Sequence, residues 1–72
     1  MNLCNRLKEI RLRKEFTQES LAGVVGVTRQ SIIAIEKEKY VPSVKLALEL
    51  AWVLGTSLED LFWLEDSKSR KP

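Results

Sequence analysis

The sequence contains no histidine and a single cysteine, Cys4, among its 72 residues. One cysteine cannot form a disulfide within the chain, and the lack of histidine excludes a zinc site built from His and Cys ligands. Histidine is also the usual general base of enzymes, so a catalytic function is disfavoured, and no metal or cofactor is expected. Cys4 is expected at the start of the first helix as a small, partly buried residue; a redox or intersubunit disulfide role is the alternative.

Long apolar segments are absent as well. No stretch of the chain approaches the roughly 18–20 consecutive apolar residues that a membrane-spanning helix needs. The N-terminus carries charges where a signal peptide would have its apolar stretch, so we expect a cytoplasmic protein that makes no contact with a membrane. A chain of 72 residues is one domain near the lower size limit for an independent core, so a partner subunit would help its stability.

The net charge of +2 hides an uneven distribution of charged residues along the chain. Residues 1–45 hold nine Lys or Arg and five Glu, whereas residues 46–66 hold five acids and neither Lys nor Arg. A basic first part and an acidic second part suggest that one face is made for a polyanion. Residues 1–66 are predicted to form the domain, and residues 67–72 to form a polar, basic tail that is frayed.

Apolar spacing and a cap residue predict the first two helices. Leu3, Leu7 and Ile10 recur at i, i+4 and i+7, which marks one face of a helix that should end near Lys14. Thr17 is a good N-cap for a second helix. The inward residues of this second helix, at residues 18–25, are expected to be Leu21, Ala22 and Val25.

Turn and cap residues predict the remaining boundaries. Gly26 tolerates the positive φ of a turn, and Thr28 caps a third helix with Ile32 and Ile35 inward. Short connections and the absence of an internal repeat predict one compact all-α domain. A fourth helix is predicted to start at Pro42 and Ser43 and to end at Gly55, and a short fifth helix is capped by Ser57, with Leu58, Leu61 and Phe62 inward.

The fourth helix has a narrow polar sector, which Lys45 and Glu49 define. A helix on the surface of one small domain should show a wider polar face, so part of this helix is expected to meet a second copy of the chain. Aromatic residues are enriched at interfaces, and the alternative is that the two tryptophans cap a thin core. The predicted homodimer interface comprises Trp52, Val53, Trp63 and Leu64.

The predicted second and third helices resemble the helix-turn-helix of the lambda Cro/repressor-like (XRE-type) family. Ala22 resembles the small residue that lets the two helices approach, and Gly26 resembles the turn glycine. The resemblance covers about residues 3–64, including the segment 40–62, which is similar to the family's fourth and fifth helices. It implies a five-helix domain that binds operator DNA, usually as a dimer. The matching positions are Gln18, Ala22, Gly26, Val27, Ile32, Ile35 and Glu36.

Helical spacing on the third helix places a mixed set of side chains on its outward side, where a recognition helix would face the major groove. Arg29 can bond guanine O6 and N7 in a bidentate manner, and Gln30 can do the same with adenine N6 and N7. Ile33 and Ala34 offer no hydrogen bonds, but either can meet a thymine methyl group. These four residues are the candidate base readers, and ordinary solvated surface is the alternative for Arg29 and Gln30.

Other residues are candidates for holding the DNA backbone. Thr17 and Gln18 start the second helix, whose free N–H groups and dipole favour a phosphate, and the resemblance implies a phosphate contact by Gln18. For any one lysine, a solvated surface role is equally compatible with the pattern. The remaining backbone candidates are Ser31, Arg13, Lys14, Lys37, Lys39 and Tyr40.

The resemblance also implies a structural ion pair between Arg11 and Glu36, which would join the first helix to the third. Such a pair would be worth less than about 1 kcal/mol if it were mostly exposed. Two positions depart from the family pattern: Glu15 and Glu38 stand in loops where glycine or asparagine is frequent. A left-handed conformation there would cost roughly 1 kcal/mol, unless the loops turn differently, and Glu38 would bring negative charge towards the DNA side. Gly23 is a further cost of about 1 kcal/mol inside the second helix.

The resulting hypothesis is a transcriptional regulator, expected to be a repressor, that binds a palindromic operator as a homodimer. Its recognition helices would enter successive major grooves about 34 Å apart. The alternative is an antitoxin that binds a toxin protein and autoregulates its operon. Some small relatives pair their chain ends as a β-ribbon, and residues 1–4 with 62–66 are the segments that would do so here.

Overall fold

A computed structural model describes residues 1–66 of the chain, and the predicted tail at 67–72 lies outside the described residues. Five helices are enclosed in sequence by two short strands, so the fold is the predicted five-helix domain with a ribbon formed by the chain ends. The elements in chain order are β1 (Asn2–Asn5), α1 (Leu7–Arg13), α2 (Gln18–Val25), α3 (Arg29–Glu36), α4 (Val44–Leu54), α5 (Leu58–Leu61) and β2 (Phe62–Glu65).

The chain ends pair as an antiparallel ribbon, which the sequence left open, and this pairing corrects the expected start of the first helix. Leu3 faces Leu64 in the register and Cys4 faces Trp63, so both residues belong to β1 and not to the first helix. Leu3, Leu7 and Ile10 have helical spacing only by coincidence, because Leu3 lies in β1 and the other two lie in α1. Arg6 is the N-cap of α1 and offers no side-chain cap, but the Asn5 side-chain oxygen accepts the N–H of Leu7, the first helical residue, at 3.0 Å.

Four of the five helices begin at the N-cap residues that the sequence predicts, and each of these residues caps its helix with a side-chain oxygen. Thr17, Thr28, Ser43 and Ser57 each accept the backbone N–H of the residue three positions on. These bonds satisfy N–H groups that have no acceptor within the helix. At Thr17 the cap is reciprocal, since the Ser20 hydroxyl oxygen accepts the Thr17 N–H at 2.9 Å. At α5 the Ser57 hydroxyl accepts the backbone N–H of Asp60 at 3.1 Å.

Left-handed residues end the four longer helices. Two are glycines, Gly26 with φ +75° and Gly55 with φ +67°, as the sequence predicts. The other two are glutamates, Glu15 with φ +64° and Glu38 with φ +61°. The loops therefore accept the left-handed conformation without glycine, which costs roughly 1 kcal/mol at each position. This conformation lets the backbone N–H of the residue that follows donate a hydrogen bond to a carbonyl in the last helical turn. Lys39, for example, donates to the Ala34 carbonyl at 2.9 Å.

The core lies between the helices and below the ribbon. Leu21 and Ala22 of α2 are buried against α3, and Val25, predicted inward, is half-buried. Ile32 and Ile35 of α3 are buried as predicted, which fixes the opposite side of α3 towards solvent. Each buried aliphatic side chain contributes about 1.5–3 kcal/mol by leaving water. The fully buried large residues are Leu7, Leu21, Ile32, Ile35, Leu50, Leu54 and Leu61.

Candidate nucleic-acid interface

The solvent side of α3 carries the predicted base-reading residues. Arg29 and Gln30, in its first turn, are both exposed to solvent. Ile33 and Ala34 are half-buried, although the sequence suggested a fully exposed isoleucine. Because they flank the buried Ile32 and Ile35 stripe, part of their surface is covered by the domain itself. The solvent side of α3 is therefore polar at its start and apolar further along, where the side chains are less exposed.

The N-terminus of α3 is fixed by its own cap. Thr28 Oγ1 accepts the Ser31 N–H at 3.2 Å, and the two hydroxyl oxygens lie 3.2 Å apart. The Ser31 hydroxyl thus already has a partner within the turn, and a phosphate contact would have to share it. This cap holds Arg29 and Gln30 at the exposed tip of the helix.

The Glu36 carboxylate at the C-terminal end of α3 joins three helices. Arg11 Nε donates to its Oε2 at 2.7 Å, and Gln18 Nε2 donates to its Oε1 at 3.1 Å. Arg11 Nη1 also donates to the Phe16 carbonyl at 2.9 Å, in the turn between α1 and α2. The Arg11 and Glu36 side chains are only 7% and 6% exposed, so the pair is buried and not the exposed pair considered above. The orientation of α3 relative to α1 and α2 depends on this cluster, which we call the Glu36 hub.

The polar side chains at the start of α2 already form hydrogen bonds within the domain. Gln18, predicted to touch phosphate, is half-buried and donates its amide to Glu36, a bond that the sequence pattern did not reveal. The Thr17 hydroxyl accepts the Ser20 N–H at 2.9 Å. The N–H groups of Gln18 and Glu19 have no acceptor within α2, because they belong to its first turn. These two backbone groups, together with the Gln18 amide, are the donors that this helix end can offer to a phosphate.

The basic candidates fall into two groups. Arg13 forms an exposed ion pair with Glu9 at 2.7 Å, and the Lys14 ammonium lies near Gly55 at the C-terminal end of α4. A positive charge is favourable at that end of a helix dipole. The other group is exposed and follows α3 directly, at the end that bears the Glu36 hub: it comprises Lys37, Lys39 and Tyr40.

The acidic residue Glu38 lies towards the ribbon. Burial of Cys4 in the ribbon raises the pKa of its thiol above the ordinary value, and the carboxylates of Glu65 and Glu38 raise it further. Glu38 donates its backbone N–H to the Ile35 carbonyl, which also accepts the Asn5 amide of the ribbon, so this residue lies beside the ribbon. The side chains of Cys4, Glu65 and Glu38 do not form a metal site, and within residues 1–66 no cluster of His, Cys, Asp or Glu is arranged to hold an ion.

An apolar surface runs along α4. Val44, Leu48 and Trp52 recur at intervals of four residues and are 75%, 51% and 85% exposed. Val24 of α2, 59% exposed, extends this surface across a groove of about 670 Å³. We call these four residues the α4 patch. The sequence singled out Trp52 and the half-buried Val53 at its border, but it missed Val24, because an exposed valine late in α2 gives no signal.

The ribbon supplies the other two predicted interface residues, and they differ in exposure. Leu64 is 61% exposed. Trp63 is half-buried between neighbours of its own chain, since the Arg6 guanidinium lies 4.8 Å from its ring centre and its indole N–H donates to Glu65 at 3.0 Å. Trp63 therefore already has a cation–π contact and a hydrogen bond, which leaves Leu64 as the more available of the two.

Comparison with known proteins assigns this geometry to a family. A family model described as helix-turn-helix matches residues 7–61, which include all five helices. The chain belongs to the XRE-type helix-turn-helix family. It is similar to the uncharacterised HTH-type transcriptional regulator YgzD of Bacillus subtilis, with 50% identity over 62 residues, 86% of this chain and 94% of the relative. It is also 52% identical to the uncharacterised HTH-type transcriptional regulator MJ0272 of Methanocaldococcus jannaschii over 64 residues, 89% of this chain and 97% of the relative.

Solved structures give the same family. The restriction-modification controller protein C.AhdI from Aeromonas hydrophila superposes with a TM-score of 0.73 and 33% identity over 79% of this chain and 83% of its own. The protein is thus a DNA-binding transcriptional regulator of the helix-turn-helix type and not an enzyme. These relatives are named as regulators or as a controller protein, and the antitoxin alternative has no support from them. No helix within the described residues is long and apolar enough to span a bilayer.

Proposed function

We propose that the protein is a repressor that binds a palindromic operator as a homodimer and reads bases with the exposed side of α3. The observation that carries the proposal is the position of Arg29 and Gln30. Both side chains are exposed in the first turn of a helix whose cap and C-terminal hub hold it in one orientation. A helix presented in this way, N-terminus outward, has the geometry that enters a major groove.

The base-reading chemistry follows from the four side chains. The Arg29 guanidinium pairs with guanine, and the Gln30 amide pairs with adenine, each discriminating by about 1–3 kcal/mol. Ile33 and Ala34 are half-buried, so they form a low apolar surface that fits a thymine methyl group without a hydrogen bond. The proposed half-site therefore contains at least one position read by hydrogen bonds and one read by an apolar contact.

The proposed backbone contacts surround α3. The free N–H groups at the start of α2, beside Thr17 and Gln18, bind one phosphate. Lys37, Lys39 and Tyr40 bind the backbone beyond the other end of α3, where they are exposed. Ser31 and Arg13 are weaker candidates, because each already has a polar partner within the domain, and Lys14 is a weaker one because its ammonium lies near Gly55 at the end of α4. Such contacts fix register without reading sequence.

The homodimer rests on the α4 patch and the ribbon. A row of three apolar side chains on a helix, beside an apolar groove, is the surface shape that helices pack against by ridges and grooves. Lys45 and Glu49, paired at 2.9 Å, border the patch and give it a polar rim of both signs, which suits contact with a copy of itself. Trp52 is the proposed central anchor, with Val53, Trp63 and Leu64 contributing at the edges.

Repression follows if the bound dimer blocks polymerase at its operator. We also propose a cytoplasmic location, because the DNA partner lies there. The test is selection of bound duplexes from a random pool with the wild-type protein, followed by Arg29→Ala and Gln30→Ala on the selected sequence. Each variant should relax preference at one position in each half-site, by about 1–3 kcal/mol.

Lys37→Ala is the matched control, since it should weaken binding equally on every sequence and reduce the salt dependence of binding. A selected pool without a repeated half-site would contradict the dimer on a palindrome. Equal loss on all sequences for Arg29→Ala and Gln30→Ala would contradict base reading by α3.

A further inference from the structure

The Asn5 side chain uses both ends of its amide to join the ribbon to two helices. Its Nδ2 donates to the Ile35 carbonyl at 2.9 Å, and its Oδ1 accepts the Leu7 N–H at 3.0 Å. The residue is half-buried and is the last residue of β1. Its two bonds require opposite ends of the amide, so only an asparagine oriented in this way satisfies both partners.

The Ile35 carbonyl lies in the last turn of α3, next to the strained end of that helix. It also accepts the N–H of Glu38, the residue with φ +61°, at 3.0 Å. Glu36, the next residue after Ile35, is the centre of the hub with Arg11. The C-terminal end of α3 is therefore held from two directions, by Arg11 from α1 and by Asn5 from the ribbon.

The ribbon brings this bond close to the proposed dimer surface. Asn5 pairs with Phe62 across the ribbon, and Leu64 follows two residues later on the same strand. A shift of β2 would thus reach the end of α3 through one strand pairing and one hydrogen bond.

We propose that Asn5 is a positioning residue for DNA reading, which transmits the position of the ribbon to the recognition helix through Ile35. The proposal rests on the proposed function, because it assumes that α3 reads bases. Asn5 acts through α3 and does not itself touch DNA. A purely local role, in which Asn5 only caps α1, is the alternative that an experiment must separate.

Two substitutions separate the roles. Asn5→Asp keeps an oxygen that accepts the Leu7 N–H, but it removes the donor and places a carboxylate oxygen against the Ile35 carbonyl. Asn5→Ser also keeps a capping oxygen, on a side chain too short to reach Ile35. Both variants preserve the cap of α1 and lose the bond to α3.

The experiment measures binding of both variants to the selected operator and to a scrambled duplex at one salt concentration, at a temperature where thermal unfolding shows them folded. The ratio of operator to scrambled affinity should fall about three- to tenfold, as the loss of one hydrogen bond allows. Affinity for the scrambled duplex should stay within twofold of the wild type. Amide hydrogen exchange at Glu38 and Lys39 should accelerate by a similar factor in both variants.

Unchanged exchange at Glu38 and Lys39, or an unchanged affinity ratio, would overturn the positioning role. A wild-type protein that binds operator and scrambled duplex equally would instead contradict base reading by α3, and the exchange measurement would still decide whether Asn5 holds the helix.

Discussion

The Arg11 guanidinium and the Glu36 carboxylate lie 2.7 Å apart in a site from which solvent is almost excluded. Removal of one partner from a buried pair leaves an uncompensated charge, which typically costs about 3–5 kcal/mol. Arg11→Ala should therefore lower the free energy of unfolding by about 3–5 kcal/mol in urea denaturation.

The chain offers a matched control for this prediction. Arg13→Ala breaks an ion pair of equal length with Glu9, but both partners are more than half exposed. Its effect should stay below about 1 kcal/mol. Similar losses from the two substitutions would contradict the energetic importance of burial at the Glu36 hub.

The two left-handed glutamates predict stabilising substitutions. Glu15→Gly removes a side chain that disfavours φ +64° and should raise the free energy of unfolding by roughly 0.5–1 kcal/mol, after the entropy that glycine costs. Glu38→Gly should do the same. Gly26→Ala introduces a side chain at a residue with φ +75°, where a Cβ is disfavoured, so it should lower the free energy of unfolding in urea denaturation. A loss of stability in Glu15→Gly would show that its side chain makes a compensating contact.

Gly23 has the opposite character from Gly26, although the two are only three residues apart. It lies inside α2, is exposed, and a Cβ built there would meet no atom within 4 Å. Gly23→Ala should therefore stabilise the domain by about 1 kcal/mol through helix propensity alone. Thermal unfolding measures this gain, and operator affinity should remain unchanged. A weakened operator complex with normal stability would place Gly23 against DNA or a second subunit.

The α4 patch predicts a concentration-dependent dimer. Trp52→Ala and Leu48→Asp should shift sedimentation velocity profiles at micromolar protein from dimer to monomer, because both remove apolar contact from the centre of the patch. Leu12→Asp is the control for the α4 patch, since Leu12 on α1 is 55% exposed, close to the 51% of Leu48. Leu12 instead lines a separate groove with Lys8 and Trp63, at the ribbon edge of the proposed interface. A monomeric wild type with full operator affinity would refute the interface.

The thiol of Cys4 predicts a dependence of chemical labelling on pH. Burial in the ribbon, then the charges of Glu65 and Glu38, raise its pKa above the ordinary value of a thiol, so less thiolate is present at a given pH than in the unfolded chain. Alkylation by iodoacetamide should be slower in the folded protein than in urea, with its rate profile displaced to higher pH. Glu65→Gln should move the profile back. Fast labelling near neutral pH would favour the redox role that these surroundings oppose.

Helix boundaries were predictable from sequence, because the residues that determine them act locally. Thr17, Thr28 and Ser43 bond to N–H groups three positions away, and Gly26 and Gly55 adopt conformations that few other residues favour. The start of the chain was not predictable by the same rule, since Leu3 satisfies a helical spacing and its strand partner lies at the other end of the domain.

Contacts between residues that are far apart in the sequence were not predictable, for a related reason. The bonds from Gln18 to Glu36 and from Asn5 to Ile35 join residues that no spacing rule connects. The resemblance to the XRE-type family supplied the Arg11 and Glu36 pair, but not its burial, which depends on the packing of three helices. The exposed residues of α3 were recognisable, because Ile32 and Ile35 identify its inward side.

The pairing of Asn2 with Glu65 has a consequence for synthesis of the protein. Helices form from contacts between near neighbours, whereas this ribbon must join residues separated by almost the whole described chain, so it is expected to form last. On the ribosome, β1 emerges before β2, so β1 remains unpaired while α1 to α4 assemble. We therefore expect a nascent chain to acquire a helix-turn-helix before it acquires the ribbon that tethers α3 through Asn5, and to recognise its operator fully only after synthesis has passed residue 65.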